Sequence, residues 1–143
     1  MSQALWMRLR EVKWANYQTS TGSAERMPKL LQDLSSRKAA RAMRSSQEIW
    51  KLLCSGGVHS AAAPSIQFLV DIVFTSTEEV RMEIYDILIS CATFLEQQKE
   101  TEEKVEWYEE AERNLRFGKK DLENLLKKSK GDSLMVLERL FDI

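Results

Sequence analysis

The stretch from Leu53 to Glu96 restricts the fold more than any other part of the chain. It sets Gly56-Gly57, Ala61-Ala62-Ala63, Pro64, an apolar helical pattern, a short polar turn and a second apolar pattern in order. The glycines permit φ values that other residues avoid, and Pro64 suits a first helical turn because the N–H it lacks is not needed there. The spacing therefore predicts a helix beginning between Ser60 and Pro64. Ile66, Leu69, Val70 and Val73 follow on one face, and Phe68 and Ile72 widen the apolar surface beyond a single stripe. Such a helix must be covered on most sides. Next, Thr75-Ser76-Thr77-Glu78-Glu79 offers Ser76 as an N-cap with Glu79 three residues later, the spacing of a capping box. The helix it opens carries Val80, Ile84, Ile87, Leu88, Cys91 and Leu95 on one face and Tyr85, Ile89 and Ala92 on a second. Glu83, Asp86, Ser90, Thr93 and Gln97 remain as a narrow polar stripe, the pattern of a helix at the centre of a stack.

Composition agrees. With 43% apolar and 30% charged residues over 143 positions, the chain can bury one continuous core and is expected to be a single domain. Two prolines and five glycines favour long helices with short connections, and no strand-like alternation or Asn-Gly hairpin signal stands out. The fold class is all-α. Cys54 and Cys91 lie in apolar surroundings outside any C-x-x-C motif; they read as reduced core thiols, with a disulfide between them left open. The first residues lack the apolar segment of a signal peptide, and no apolar run reaches the roughly 20 residues of a membrane span. A cytoplasmic protein with no membrane partner is expected.

In chain order, segment 1–22 reads as an N-terminal capping helix, with Leu5, Trp6, Leu9, Val12 and Trp14 inward and Arg8, Arg10 and Lys13 outward. Segment 23–55 reads as a first hairpin. Its short helix opens at Met27-Pro28, and its long helix, from Ser36 to Cys54, packs through Ala39, Met43, Ile49, Trp50 and Leu53. Met27, Leu30, Leu31 and Leu34 match Ile66, Leu69, Val70 and Val73 in spacing, and an arginine, Arg41 or Arg81, follows near the start of each long helix. Segment 56–97 is thus a second hairpin, displaced by about 40 residues, a period typical of HEAT-type repeats. Segment 98–143 reads as degenerate C-terminal helices: Glu100 to Leu115 ending at Phe117-Gly118, then Asp121 to Lys128, then a last helix after Gly131-Asp132-Ser133.

The string Gly22-x-Ala24-x-x-Met27-Pro28-x-Leu30-Leu31-x-x-Leu34, then Arg41, then Leu53-Cys54-x-Gly56-x-Val58-His59-x-Ala61-Ala62 leading to Phe68-Leu69 and Arg81, resembles a bacterial HEAT-like-repeat family. The resemblance covers roughly residues 5 to 95. It departs where Cys54-Ser55 stand for the family's His-Gln, His59 for its tyrosine, and Gln67 for the proline before Phe-Leu. It implies a short right-handed α-solenoid of about two and a half HEAT-like helical hairpins. Members often resemble cytosolic immunity proteins, so it also implies a protein that binds and neutralises a cognate toxin by occluding its active site.

Charge points the same way. Residues 1 to 51 hold ten Lys or Arg against four Asp or Glu, whereas residues 52 to 112 hold three against thirteen. An acidic middle would steer a basic protein partner into place. The candidate partner-binding residues are Glu83, Asp86 and Ser90 on the central helix and Glu103, Glu106, Trp107 and Glu110 on an acidic helix. Ordinary solvation of both acidic faces, and packing of Trp107 on the following helix, are the alternatives. A non-inhibitory adaptor or chaperone of a secreted effector would use the same surface. A nucleic-acid reading rests on Arg8, Arg10, Lys13, Arg37, Lys38, Arg41 and Arg44, against a sequence pI near 6.0 and no stacking aromatics among them. His59 is the only histidine and is expected to bond within its loop; no nucleophile–base pair or metal-ligand spacing can be assembled. No enzyme activity, cofactor or metal is expected.

Overall fold

The computed structural model describes residues 4–143, most of them in helices: α1 Leu5–Glu11, α2 Met27–Leu34, α3 Ala39–Cys54, α4 Ala62–Val73, α5 Glu78–Gln98, α6 Tyr108–Lys128 and α7 Gly131–Phe141. Met1, Ser2 and Gln3 of the expected N-terminal segment lie outside the described residues. The all-α class holds. The chain between α1 and α2 is more ordered than a polar turn, because two single-turn 3-10 helices bracket a minimal antiparallel pair, β1 Gln18–Thr19 and β2 Gly22–Ser23. Gly22, at φ +131°, permits the reversal, and the Thr19 hydroxyl donates to its carbonyl at 3.0 Å. So short a pair needs outside partners. Ser20 N–H donates to the Leu52 carbonyl at 2.8 Å, and Ala61 N–H donates to the Gln18 carbonyl at 3.0 Å, pinning the reversal between the end of α3 and the start of α4.

Packing follows the apolar faces. Helix α2 lies on α3, α4 on α5 and α6 on α7, while α3 packs against α5, α5 against α7, and α4 against both α2 and α6. Ten of the twelve residues of α4 are buried, with Gln67 and Asp71 excepted, as its apolar surface requires. Helix α5 meets α3, α4, α6 and α7 and buries Val80, Ile84, Tyr85, Ile87, Leu88, Cys91, Ala92 and Leu95. It occupies the centre. One hydrophobic cluster runs from Leu9 to Leu140.

Several local expectations are corrected. Thr77, not Ser76, is the N-cap of α5, and no side chain caps that end. The Ser76 hydroxyl turns back to the Ile72 carbonyl at 2.8 Å. Arg81 also reaches back, donating from Nε to the Val73 carbonyl at 2.9 Å and from Nη2 to that of Phe74 at 3.2 Å. Arg81 thus satisfies carbonyls left open at the end of the preceding helix. Helix α3 begins at Ala39 rather than Ser36, since the Ser36 hydroxyl accepts the Lys38 N–H at 3.1 Å and holds the chain in a turn. Its buried face is Ala42, Ser45, Ser46, Ile49, Leu52 and Leu53; Ala39 and Trp50 are exposed.

The largest correction concerns α6, which runs unbroken through Phe117-Gly118. Gly118 is buried, and a Cβ there would fall 2.7 Å from Cγ2 of Val70 on α4. The glycine serves close helix approach rather than helix termination. Gly118→Ala should therefore lose stability in chemical denaturation. Alanine gains about 1 kcal/mol in helix propensity, but overpacking against a stiff β-branched neighbour costs about 1–3 kcal/mol. In a Val70→Ala background the same change should be neutral or stabilising; destabilisation there too would disprove the close-approach role.

The one buried side-chain polar atom without a hydrogen-bond partner among the described residues is the Tyr85 hydroxyl. Burial pushes its pKa up, against the opposing pull of Arg81. Because an unsatisfied buried group costs about 1–3 kcal/mol, Tyr85→Phe should raise the urea midpoint. A clear fall would show that the hydroxyl is satisfied.

Candidate interaction surface

The central polar stripe meets an exposed aromatic. On α3 the inward positions Ile49, Leu52 and Leu53 leave Gln47, Trp50 and Lys51 on a shared outer stripe. On α5, burial of Ile84, Tyr85 and Ile87 turns Glu83 and Asp86 toward the same side. These five residues line an open groove of ≈ 350 Å³ between the two helices. Trp50, assigned to the core from spacing, is 42% exposed. It lies only one position beyond Ile49, about 100° round the helix, so it sits at the edge of the buried face. That rotation was the available signal. Neither Glu83 nor Asp86 forms an ion pair among the described residues, so the groove presents two unpaired carboxylates together with Lys51 and the exposed Trp50. Ser90, one turn further along α5, is half-buried.

The other four candidates do not form an acidic helix. Helix α6 starts at Tyr108, and Glu103 and Glu106 lie exposed in the preceding connection. The chain turns there because the Thr101 hydroxyl donates to the Gln98 carbonyl at 2.8 Å and Val105 N–H donates to Gln98 Oε1 at 3.0 Å. Trp107 is half-buried and stacked on Phe94 of α5, with centroids 5.4 Å apart and planes 11° from parallel. It packs inward on the preceding long helix. Glu110 accepts the Tyr17 hydroxyl at 2.8 and 3.1 Å. Burial first, then that bond and the negative charge, push the Tyr17 pKa up to about 12. Glu110 thus ties α6 to the N-terminal segment. The connection that holds Glu103 and Glu106 follows the end of α5 at Gln98, about 18 Å of helix beyond Asp86.

The basic residues are also dispersed. Arg8 turns inward, pairing with Asp71 of α4, and its guanidinium lies 5.1 Å from the Phe68 ring centre. Trp6, expected inward, is exposed beneath Arg10. Arg41 and Arg44 flank a shallow cleft that also contains Asp33 and Glu48. His59 bonds within its loop, with Nε2 2.8 Å from the Ser55 carbonyl oxygen, as expected. Among the described residues, no helix is long and apolar enough to cross a membrane, and no three His, Cys, Asp or Glu side chains gather where they could hold a metal ion.

Comparison with protein-family models, curated proteins and solved structures finds no match to this chain.

Proposed function

We propose that this chain is a cytoplasmic protein-binding module that neutralises a cognate protein toxin by covering its active site. Its groove between α3 and α5 holds a lysine or arginine side chain of that partner. The observation that carries the reading is the pair of unpaired carboxylates, Glu83 and Asp86, facing the exposed Trp50. A cation seated there gains charge-assisted hydrogen bonds and a cation–π contact with one side chain. Tryptophan is also enriched among residues that dominate binding energy. In this reading the hairpins form a right-handed solenoid of about two and a half HEAT-like repeats. The contacts of α2 with α4 and α4 with α6, alongside those of α3 with α5 and α5 with α7, support such stacking.

The test begins with the full chain as bait in the bacterium that carries it. A captured protein is then expressed alone and with the chain, and affinity is measured for the purified pair. Toxicity alone and protection by the chain are expected. Trp50→Ala combined with Glu83→Lys should weaken binding by about 100-fold or more while leaving the thermal melt nearly unchanged. Unaltered affinity would remove the groove from the interface, and a partner that stays active when bound would make the chain an adaptor.

A further inference from the structure

A second concavity lies at the far end of α5. The last two turns of that helix, the middle of α6 and the end of α7 enclose a groove of ≈ 340 Å³. Its floor is apolar: Ala92, Leu95 and Leu115 are buried, and Phe141 and Ile143 are half-buried. Its rim is charged, with Lys99, Arg116, Lys119 and Lys120 set against Glu96, Glu112 and Glu123. We propose that this groove is a binding site for a small amphiphilic monocarboxylate, a medium-chain fatty acid, whose head is held by Lys119 and whose hydrocarbon tail lies on the apolar floor.

Three features support this. First, the cations are not equivalent. Lys99 pairs with Glu96 at 3.2 Å and Arg116 with Glu112 at 3.0 Å, whereas neither Lys119 nor Lys120 pairs with an Asp or Glu side chain among the described residues. Lys120 is exposed, with its ammonium 5.8 Å from the centre of the exposed Phe117 ring. Lys119 is half-buried, and its Nζ donates to the main-chain oxygen of Ile143, a residue of the floor, at 2.9 Å. An ammonium has three N–H donors, so two remain for a ligand. Second, that ammonium is only partly solvated. Burial, then the positive charge of Lys99, lowers its pKa, against the opposing pull of Glu96. A bound carboxylate would offset both effects. Third, head and floor are adjacent. Lys119 lies one helical turn beyond Leu115 on α6, so a ligand that reaches the ammonium also covers the leucine.

Size and charge together select the ligand. A volume of ≈ 340 Å³ lies at the small end of the range of about 300–1,000 Å³ for small-molecule sites, which are mostly apolar with a few placed polar groups. Each CH₂ group fully buried on the floor adds about fourfold in affinity, so the tail contributes in proportion to its length until the floor is covered. Glu96, Glu112 and Glu123 on the same rim repel a doubly charged head such as a phosphate monoester more than they repel a carboxylate. The site shares no lining residue with the groove between α3 and α5, so its ligand and the proposed protein partner do not compete for side chains.

The experiment titrates the full isotope-labelled chain with sodium octanoate, below its micellar range, and follows amide and methyl resonances. Saturable shifts at one site are expected, largest at Leu95, Leu115, Lys119 and Ile143 and absent from Trp50 and Glu83. Hexanoate should bind about 10-fold more weakly than octanoate. Acetate, which lacks the tail, and 1-octanol, which lacks the charge, should each bind weaker than octanoate by about 10-fold or more. Lys119→Met should lose about 10-fold in octanoate affinity with an unchanged thermal melt, whereas Lys119→Arg, which keeps the charge, should bind nearly as the wild type does. The ligand series on the wild-type chain decides the matter independently of how either variant folds. Non-saturating shifts spread over exposed lysines, equal binding of octanoate and 1-octanol, or wild-type affinity in Lys119→Met would each overturn the proposal.

Discussion

Phe68→Ala is expected to lower the free energy of unfolding by about 3–5 kcal/mol, the largest effect of any single truncation considered. Phe68 is 1% exposed in the helix with the fewest exposed positions. Its ring centre lies 6.2 Å from that of Trp14 and is flanked by the Arg8 guanidinium. Trp14 in turn donates from Nε1 to the Leu9 carbonyl at 2.8 Å, fixing the end of α1. Truncation therefore opens a cavity and removes the surface on which the N-terminal segment rests. Hydrogen exchange should accelerate from α1 through Trp14 beyond the acceleration set by the global loss. Phe74→Ala is the internal control: that side chain is 39% exposed, and its loss should cost no more than about 1 kcal/mol. Equal midpoints for the two variants in urea would refute the assignment of Phe68 as the anchor.

Ile84→Ala should cost about 2–5 kcal/mol, because its fully buried side chain belongs to the one helix that touches α3, α4, α6 and α7. Its position also predicts how the protein fails. With α5 shared by both ends of the molecule, the variant should still unfold in one transition, at the same urea concentration by tryptophan fluorescence and by far-ultraviolet circular dichroism. Two separated transitions would mean that α6 and α7 hold together without α5, and would remove α5 from the centre of the fold.

The legible parts of the fold were those in which one short segment carries its own instruction. Pro28 and Pro64 stand in first turns because a missing N–H and a fixed φ are local properties. The dense apolar periods of α4 and α5 announced burial on most sides, which holds whatever neighbours supply the cover. Of the candidate interaction residues, Glu83 and Asp86 came from the same logic, as exceptions in an otherwise apolar helix.

The residues that were misread depend on something distant in the chain. Gly118 looked like a helix end, but Val70 on another helix decides its role. Trp50 and Trp107 carry the same indole; one lines a groove and the other stacks on Phe94, because a helix edge is covered only where a second element reaches it. Arg8 and Trp6 exchanged their expected places once Asp71 and Phe68 offered the guanidinium an ion pair and a ring face. Helix class, the number of strongly apolar faces and the proline-marked starts are therefore written in local spacing, since backbone preference and periodicity act over a few residues. Which exposed groups share a surface was settled only by tertiary packing, because side-chain contacts between helices depend on their relative placement and not on separation along the chain.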